Sequence, residues 1–102
     1  MYKITYLEEA EEDLANLPDE ILSEVLDYIK KYETEPFKNG KKLYDYKDTK
    51  LEGYLATYVA NATYRIVYCV EDGVAKVVEI VAVGERKEKQ VYIEAHKRIS
   101  QK

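Results

Sequence analysis

The sequence offers few side chains of the types that carry out nucleophilic, acid–base or metal chemistry. Cys69 and His96 are its only cysteine and histidine, so we predict neither an internal disulfide nor a Cys/His metal cluster. These residue types suggest no metal ion or cofactor.

The charges are divided unevenly along the chain, although the net charge is only −4. Residues 1–35 carry 3 basic and 11 acidic side chains, whereas residues 36–102 carry 13 basic and 9 acidic ones. Basic residues are concentrated at 36–50 and 84–102. Such a chain could bind a polyanion through its basic part, although chance clustering on a solvated surface is the alternative explanation.

The composition is that of one globular domain covering residues 1–102. Hydrophobic residues make up 46% of the chain and charged residues 35%, with four glycines and two prolines. The longest uncharged run is much shorter than the roughly 20 apolar residues of a membrane span, and the start of the chain has no apolar signal segment. We therefore expect a cytoplasmic protein with no membrane partner.

The spacing of apolar residues predicts four strands and three helices in the order β-α-α-β-β-β-α. A short strand at 2–6 precedes two helices joined at Pro18, and a lysine-rich loop follows them. Strands are predicted at 55–59, 64–70 and 74–83, and a closing helix at 88–99. This order predicts an α+β fold with a four-stranded antiparallel sheet and the helices on one face. The residues of the N-terminal helical hairpin predicted to pack on that face are Leu14, Leu17, Ile21, Val25 and Ile29.

The turn between the second and third strands predicts which residues share a face of the sheet. A two-residue turn at Asn61-Ala62 places Tyr58 opposite Arg65. The same register places Ala56 opposite Val67. Arg65 is then predicted to lie on an open face that no helix covers.

The next hairpin is marked by Asp72-Gly73. We favour a three-residue loop there, because a two-residue loop would turn Glu79 toward the core at a high desolvation cost. The three-residue loop places Glu79 and Val81 on the face of Arg65.

Three segments of the C-terminal half resemble the RelE/ParE toxin superfamily, and they are most similar to RelE-type mRNA interferase toxins. The similarity is dense from about residue 64 to residue 99, and the predicted β-α-α order upstream agrees with it. The segments are Tyr64-Arg65-Ile66-Val67-Tyr68, Val83-Gly84-Glu85-Arg86, and Val91-Tyr92-Ile93-Glu94-Ala95 followed by Lys97-Arg98-Ile99.

The resemblance implies the toxin of a type II toxin–antitoxin system, a metal-independent endoribonuclease that cuts mRNA on the ribosome and is neutralised by a cognate antitoxin. It assigns Arg65 to stabilising the scissile phosphate, and Arg86 to phosphate binding and protonation of the leaving group. It assigns Tyr92 to stacking on the nucleotide or orienting it. The basic stretches supply the lysines expected to contact RNA, which are Lys41, Lys42, Lys50, Lys87 and Lys89.

The general base is left open by the sequence. Two positions that carry lysine in RelE fall on Ala56 and Tyr58 here, which implies weakened cleavage. Tyr58, Glu79 and His96 are the auxiliary candidates, and each also has a purely structural explanation. Because the pKa of arginine exceeds about 12, Arg86 suits phosphate binding better than proton donation.

Three functions therefore remain open at the level of the sequence. The first is a ribosome-dependent mRNA endonuclease, and the second is a ParE-like toxin directed at DNA gyrase. The third is a catalytically poor module with a RelE fold that binds an antitoxin. The set of Arg65, Arg86 and Tyr92 favours the first, whereas the absent lysines favour the third.

Overall fold

The computed structural model describes residues 1–45, 50–85, 87 and 90–101. In these residues the chain forms an α+β fold with five strands and three helices. The strands are β1 (Lys3–Tyr6), β2 (Lys41–Lys42), β3 (Leu55–Val59), β4 (Tyr64–Asp72) and β5 (Lys76–Glu85), and the helices are α1 (Glu8–Ala15), α2 (Asp19–Tyr32) and α3 (Gln90–Ser100).

The second helix shows why these helices form where the sequence predicts them. Pro18 immediately precedes α2 with φ −57, and Asp19 and Glu20 occupy its first turn. Lys30 and Lys31 occupy its last turn. Acidic side chains at the start and basic ones at the end both oppose the helix dipole and stabilise the helix.

The sheet is mixed and five-stranded, with the strand order β1-β5-β4-β3-β2. β1 runs parallel to β5, whereas the other neighbours are antiparallel. The prediction of a four-stranded antiparallel sheet is therefore wrong in two respects. Helices α1 and α2 carry the chain from β1 at one edge of the sheet to β2 at the opposite edge. The direction of β1 relative to β5 therefore depends on how these helices pack. A two-residue strand such as β2 has no periodicity that a sequence can show.

Helices cover both faces of the sheet, which corrects the expectation that they lie on one face. On one face, α1 and α2 pack against a first core that includes Val25, Ile29, Tyr32, Ile66 and Tyr68. Of the five residues predicted to pack there, Val25 and Ile29 are buried, and the other three are partly buried against the same core.

The opposite face carries a second core beneath α3. It consists of buried residues from the sheet, from α3 and from the segment before β3: Leu51, Val67, Val81, Ala82, Val91 and Ala95. The apolar face that the sheet presents there, and the apolar stripe of α3, are both removed from water by this packing. The face predicted to be open is therefore largely covered.

The strand registers agree with the predicted turns and add one irregularity. Tyr58 lies opposite Arg65, and three residues separate Asp72 from Lys76 in the β4–β5 hairpin, as predicted. A bulge between Val67 and Tyr68 then shifts the β4–β5 register by one residue. Arg65 consequently lies opposite Gly84.

Candidate functional site

The guanidinium group of Arg65 is held from three sides. Its Nε donates a hydrogen bond to the hydroxyl of Tyr92 at 3.1 Å. Its Nη1 donates to the carbonyl oxygen of Ala62 and, at 3.2 Å, to that of Tyr64. Its central carbon lies 3.7 Å from the centre of the Tyr58 ring. Strand β3, the β3–β4 turn and helix α3 therefore fix the orientation of this cation together.

Arg65 is only 4% exposed, which corrects the expectation of a solvent-open site. The cause is the position of α3, because Tyr92 of that helix and Tyr58 of β3 both cover the guanidinium group. Tyr58 itself is 42% exposed. A phosphate can reach Arg65 only if one of these two tyrosine side chains moves.

The β3–β4 turn has a backbone conformation that suits its role beside Arg65. Ala60, Asn61 and Ala62 have φ values of 51, 54 and 69, and Thr63 N donates to Ala60 O at 3.1 Å. This run of three residues with positive φ reverses the chain between β3 and β4. The turn presents the carbonyl oxygen of Ala62 to Arg65.

Helix α3 is joined to the rest of the molecule by an ion pair between Arg98 and Asp13 of α1. Arg98 Nη1 lies 2.7 Å from Asp13 Oδ2, and Arg98 Nη2 lies 3.1 Å from Asp13 Oδ1. Arg98 Nη1 also donates to Val81 O at 2.9 Å, and Val83 N donates to Asp13 Oδ2 at 3.0 Å. The hydrogen bonds with Asp13 raise the pKa of Arg98. This Arg98–Asp13 clamp ties α3 to α1 and β5, and it thereby positions Tyr92.

His96 lies about 6 Å beyond Tyr92 along α3, one helical turn away. Its Nδ1 accepts a hydrogen bond from the backbone N of Lys50 at 3.0 Å. His96 thus attaches the segment before β3 to α3. The structural alternative that the sequence offered for His96 was an exposed helix residue, and this hydrogen bond was not predicted.

Glu79 does not join the site, which corrects its prediction as an auxiliary residue beside Arg65. It lies opposite Cys69 of β4 and Thr5 of β1. The Cys69 thiol lies 3.9 Å from Glu79 Oε1. Cys69 is four residues from Arg65, a separation of about 13 Å along the strand. Residues that share a face of a sheet can still be too far apart to act on one phosphate.

The two lysines of β2 lie on opposite faces of the sheet. Lys41 pairs with Ala56 and therefore shares the face of Arg65, whereas Lys42 pairs with Leu55 of the first core. The ammonium group of Lys41 lies 5.2 Å from the centre of the Tyr58 ring. The sequence predicted both lysines as RNA contacts and could not separate them, because β2 itself was not predicted. The pairing of Lys42 with Leu55 removes it from the candidate RNA contacts, because it lies on the face away from Arg65.

The remaining predicted site residues are not brought to Arg65 by any described contact. Lys50 and Lys87 are exposed. Arg86 and Lys89 lie outside the described residues. Within the described part of the chain, no group of three or more His, Cys, Asp or Glu residues could hold a metal ion, and no helix is long and apolar enough to cross a membrane.

Comparison with known proteins finds relatives through structure alone. No family model and no curated protein sequence matches the chain. An arginine-to-alanine mutant of the E. coli toxin RelE in the free state matches with a TM-score of 0.73 and 26% identity, covering 96% of this chain and 97% of that one. The toxin–antitoxin complex RelBE2 from Mycobacterium tuberculosis matches with a TM-score of 0.69 and 29% identity, covering 83% and 98%.

The chain has the fold of the RelE/ParE toxin superfamily. The resemblance predicted from its C-terminal half is thus confirmed. A YoeB/ParE toxin from Agrobacterium tumefaciens also shares the fold, with a TM-score of 0.67, 19% identity, and coverage of 82% of this chain and 98% of that one. Within this RelE-like fold, the Arg65–Tyr92–Tyr58 cluster joins strands β3 and β4 to the last helix.

Proposed function

We propose that this protein is the toxin of a type II toxin–antitoxin system and that it cleaves mRNA on the ribosome without a metal ion. The observation that carries the proposal is the fixed guanidinium group of Arg65, with the hydroxyl of Tyr92 at 3.1 Å and the ring of Tyr58 against it. The RelE-like fold supports it, because the structural neighbours are toxins of RelBE toxin–antitoxin systems.

Cleavage of RNA by its own 2′-hydroxyl needs a base, a cation and an acid. The 2′-oxygen attacks phosphorus, the bond to the 5′-oxygen breaks, and the departing oxygen takes up a proton. Arg65 supplies the positive charge that stabilises the crowded phosphate, and Arg86 supplies a second phosphate contact as the resemblance implies. Tyr92 orients the nucleotide beside Arg65, since its hydroxyl already contacts the guanidinium group.

The proposed enzyme is slow, because two positions that carry lysine in RelE hold Ala56 and Tyr58. General acid–base catalysis contributes about 10²- to 10⁴-fold to a rate. Tyr58 is the described auxiliary candidate closest to the reacting phosphate, since its ring contacts Arg65. His96 and Glu79 are weaker candidates, because one is bonded to Lys50 and the other lies far along the sheet.

The proposed partners are the ribosome, its mRNA and a cognate antitoxin. Support for the antitoxin comes from the neighbours that were solved as toxin–antitoxin complexes, including one from Pyrococcus horikoshii. Co-expression with the protein encoded by the adjacent reading frame tests this part directly. We expect it to relieve growth inhibition and to co-purify with the chain.

The test of cleavage uses purified protein and ribosomes programmed with a defined mRNA. We expect cleavage within the ribosome-bound codon that is lost in Arg65→Ala and that leaves the 2′,3′-cyclic phosphate formed when the 2′-oxygen attacks phosphorus. Intact mRNA together with inhibition of gyrase supercoiling would instead support the ParE-like function. Intact mRNA with tight antitoxin binding would support a non-catalytic module.

A further inference from the structure

An open groove of about 300 Å³ lies beside the Arg65 cluster, where β3 continues past the short β2 strand. Its walls include Tyr28 of α2, Thr57 and Tyr58 of β3, and the segment of residues 38–41 that leads into β2. The groove therefore places Tyr28, Tyr58, Lys38 and Lys41 around one surface, and the ammonium group of Lys31 lies 4.8 Å from the centre of the Tyr28 ring.

The groove is continuous with the candidate active site through Tyr58. The guanidinium carbon of Arg65 and the ammonium nitrogen of Lys41 lie 3.7 Å and 5.2 Å from the centre of the same Tyr58 ring. The two cations are therefore less than about 10 Å apart, which is within one Debye length at moderate ionic strength. The charges of Arg65 and Lys41 can therefore attract neighbouring phosphates of one polyanion.

Lys41 is well placed to contact an anion from outside. It is exposed, and among the described residues no carboxylate forms a salt bridge with it. Lys38 differs, because its ammonium group lies 3.4 Å from Glu35 Oε2. Lys41 also pairs with Ala56, which shares the face of Tyr58 and Arg65.

The backbone beneath the groove is fixed by buried hydrogen bonds. Thr57 Oγ1 donates to Asn39 O at 2.6 Å and is bonded to the hydroxyl of Tyr32. A Cβ atom at Gly40 would overlap the hydroxyl of Tyr68, so this segment packs directly on the first core. A groove with a rigid base loses little conformational entropy when a ligand binds.

We infer that this groove binds the nucleotide adjacent to the scissile phosphate in single-stranded RNA. Lys41 contacts the phosphate of that nucleotide, and the rings of Tyr28 and Tyr58 pack against its base. Aromatic rings beside a basic groove are the general means by which proteins hold single-stranded nucleic acid. The inference rests on the proposed function, since it takes RNA as the ligand.

The test measures binding of a short fluorescein-labelled single-stranded RNA with 2′-O-methyl riboses, which the protein cannot cleave, by fluorescence anisotropy. Lys41→Gln should weaken binding about three- to tenfold and reduce the slope of log affinity against log salt by about 0.7, because one phosphate contact is lost. Lys42→Gln is the matched control. It removes an exposed lysine of the same strand from the other face and should change affinity by less than about twofold.

The aromatic contact has its own pair of variants. Tyr28→Leu should weaken binding about fivefold or more, whereas Tyr28→Phe keeps the ring and should bind like the wild type. Circular dichroism checks that each variant is folded. Equal losses in the two lysine variants, or no RNA binding by the wild-type protein, would overturn the inference.

Binding and cleavage separate the two proposals. If mRNA is cleaved in an Arg65-dependent manner but Lys41→Gln and Lys42→Gln bind RNA equally, the groove inference fails and the proposed function stands. If Lys41 is specifically required for binding but no mRNA is cleaved on the ribosome, the groove inference stands and the nuclease function fails.

Discussion

The Arg98–Asp13 clamp should contribute more to the stability of this protein than an ordinary surface ion pair. The side chains of Arg98 and Asp13 are only 11% and 21% exposed, and two guanidinium nitrogens face the two carboxylate oxygens. Replacing Arg98 removes both contacts and the bond to Val81 O. Removing one partner of a fully buried pair costs about 3–5 kcal/mol, and partial exposure reduces this to about 2–4 kcal/mol.

The assay is urea unfolding of Asp13→Asn, Arg98→Gln and the double variant. Because Asp13 also accepts a hydrogen bond from Val83 N, Arg98→Gln leaves a partly satisfied carboxylate, and each single variant should lose about 2–4 kcal/mol. The loss of unfolding free energy in the double variant should be smaller than the sum of the two single losses, by at least about 1 kcal/mol. Arg98→Lys, which keeps the charge without the two parallel bonds, should fall between wild type and Arg98→Gln.

A second measurement follows the consequence for α3. Loss of the clamp should increase hydrogen exchange at the amides of α3, including Tyr92, more than at the amides of β4. If each single variant loses less than about 0.5 kcal/mol and the two losses simply add in the double variant, the Arg98–Asp13 pair is no stronger than an exposed ion pair. That result would refute the stabilising role of the clamp.

Three further predictions concern pH, backbone strain and catalysis. Burial raises the pKa of Tyr68 to about 12 and also raises the pKa of Tyr32, so the unfolded chain releases these protons near pH 10 while the folded chain keeps them. Stability should be complete below about pH 10 and fall toward about pH 12. The part of the fall due to Tyr68 is about 1.4 kcal/mol per pH unit, so urea midpoints should fall less steeply in Tyr68→Phe. Ala62→Gly should raise the free energy of unfolding by about 0.5–1 kcal/mol, because Ala62 has φ 69, and a loss of stability in urea unfolding would contradict this strain. Tyr58→Lys should raise mRNA cleavage on the ribosome, and the gain should vanish when Arg65→Ala is added; a folded Tyr58→Lys variant that cuts no faster would point to a non-catalytic module.

The burial of Ala56 limits how the missing lysines can be restored. An open face would accept lysine at both Ala56 and Tyr58, but Ala56 is 1% exposed beneath its neighbours. Tyr58, which is 42% exposed, is the position where a long charged side chain can reach solvent. The structure therefore directs the restoration of a lysine to Tyr58 rather than to both sites.

Features that depend on residues close together in the chain were predictable from the sequence. Helix positions follow from apolar spacing and terminal charges, which act within one or two turns. The pairing of Tyr58 with Arg65 follows from a two-residue turn at Asn61-Ala62, and the β4–β5 loop length follows from keeping Glu79 out of the core. The resemblance carried by Arg65 and Tyr92 was likewise readable, and the structure brings these two residues together.

Features that depend on contacts between distant segments could be seen only in the folded molecule. These are the parallel pairing of β1 with β5, the short strand β2, and the packing of α3 on the second face. They determine that Arg65 is buried and that Lys41 lies beside Tyr58. The packing of α3 results from apolar surfaces meeting across the sheet, whereas the two strand pairings depend on where the chain returns to the sheet. The periodicity of one segment cannot show which other segment will pack or pair with it.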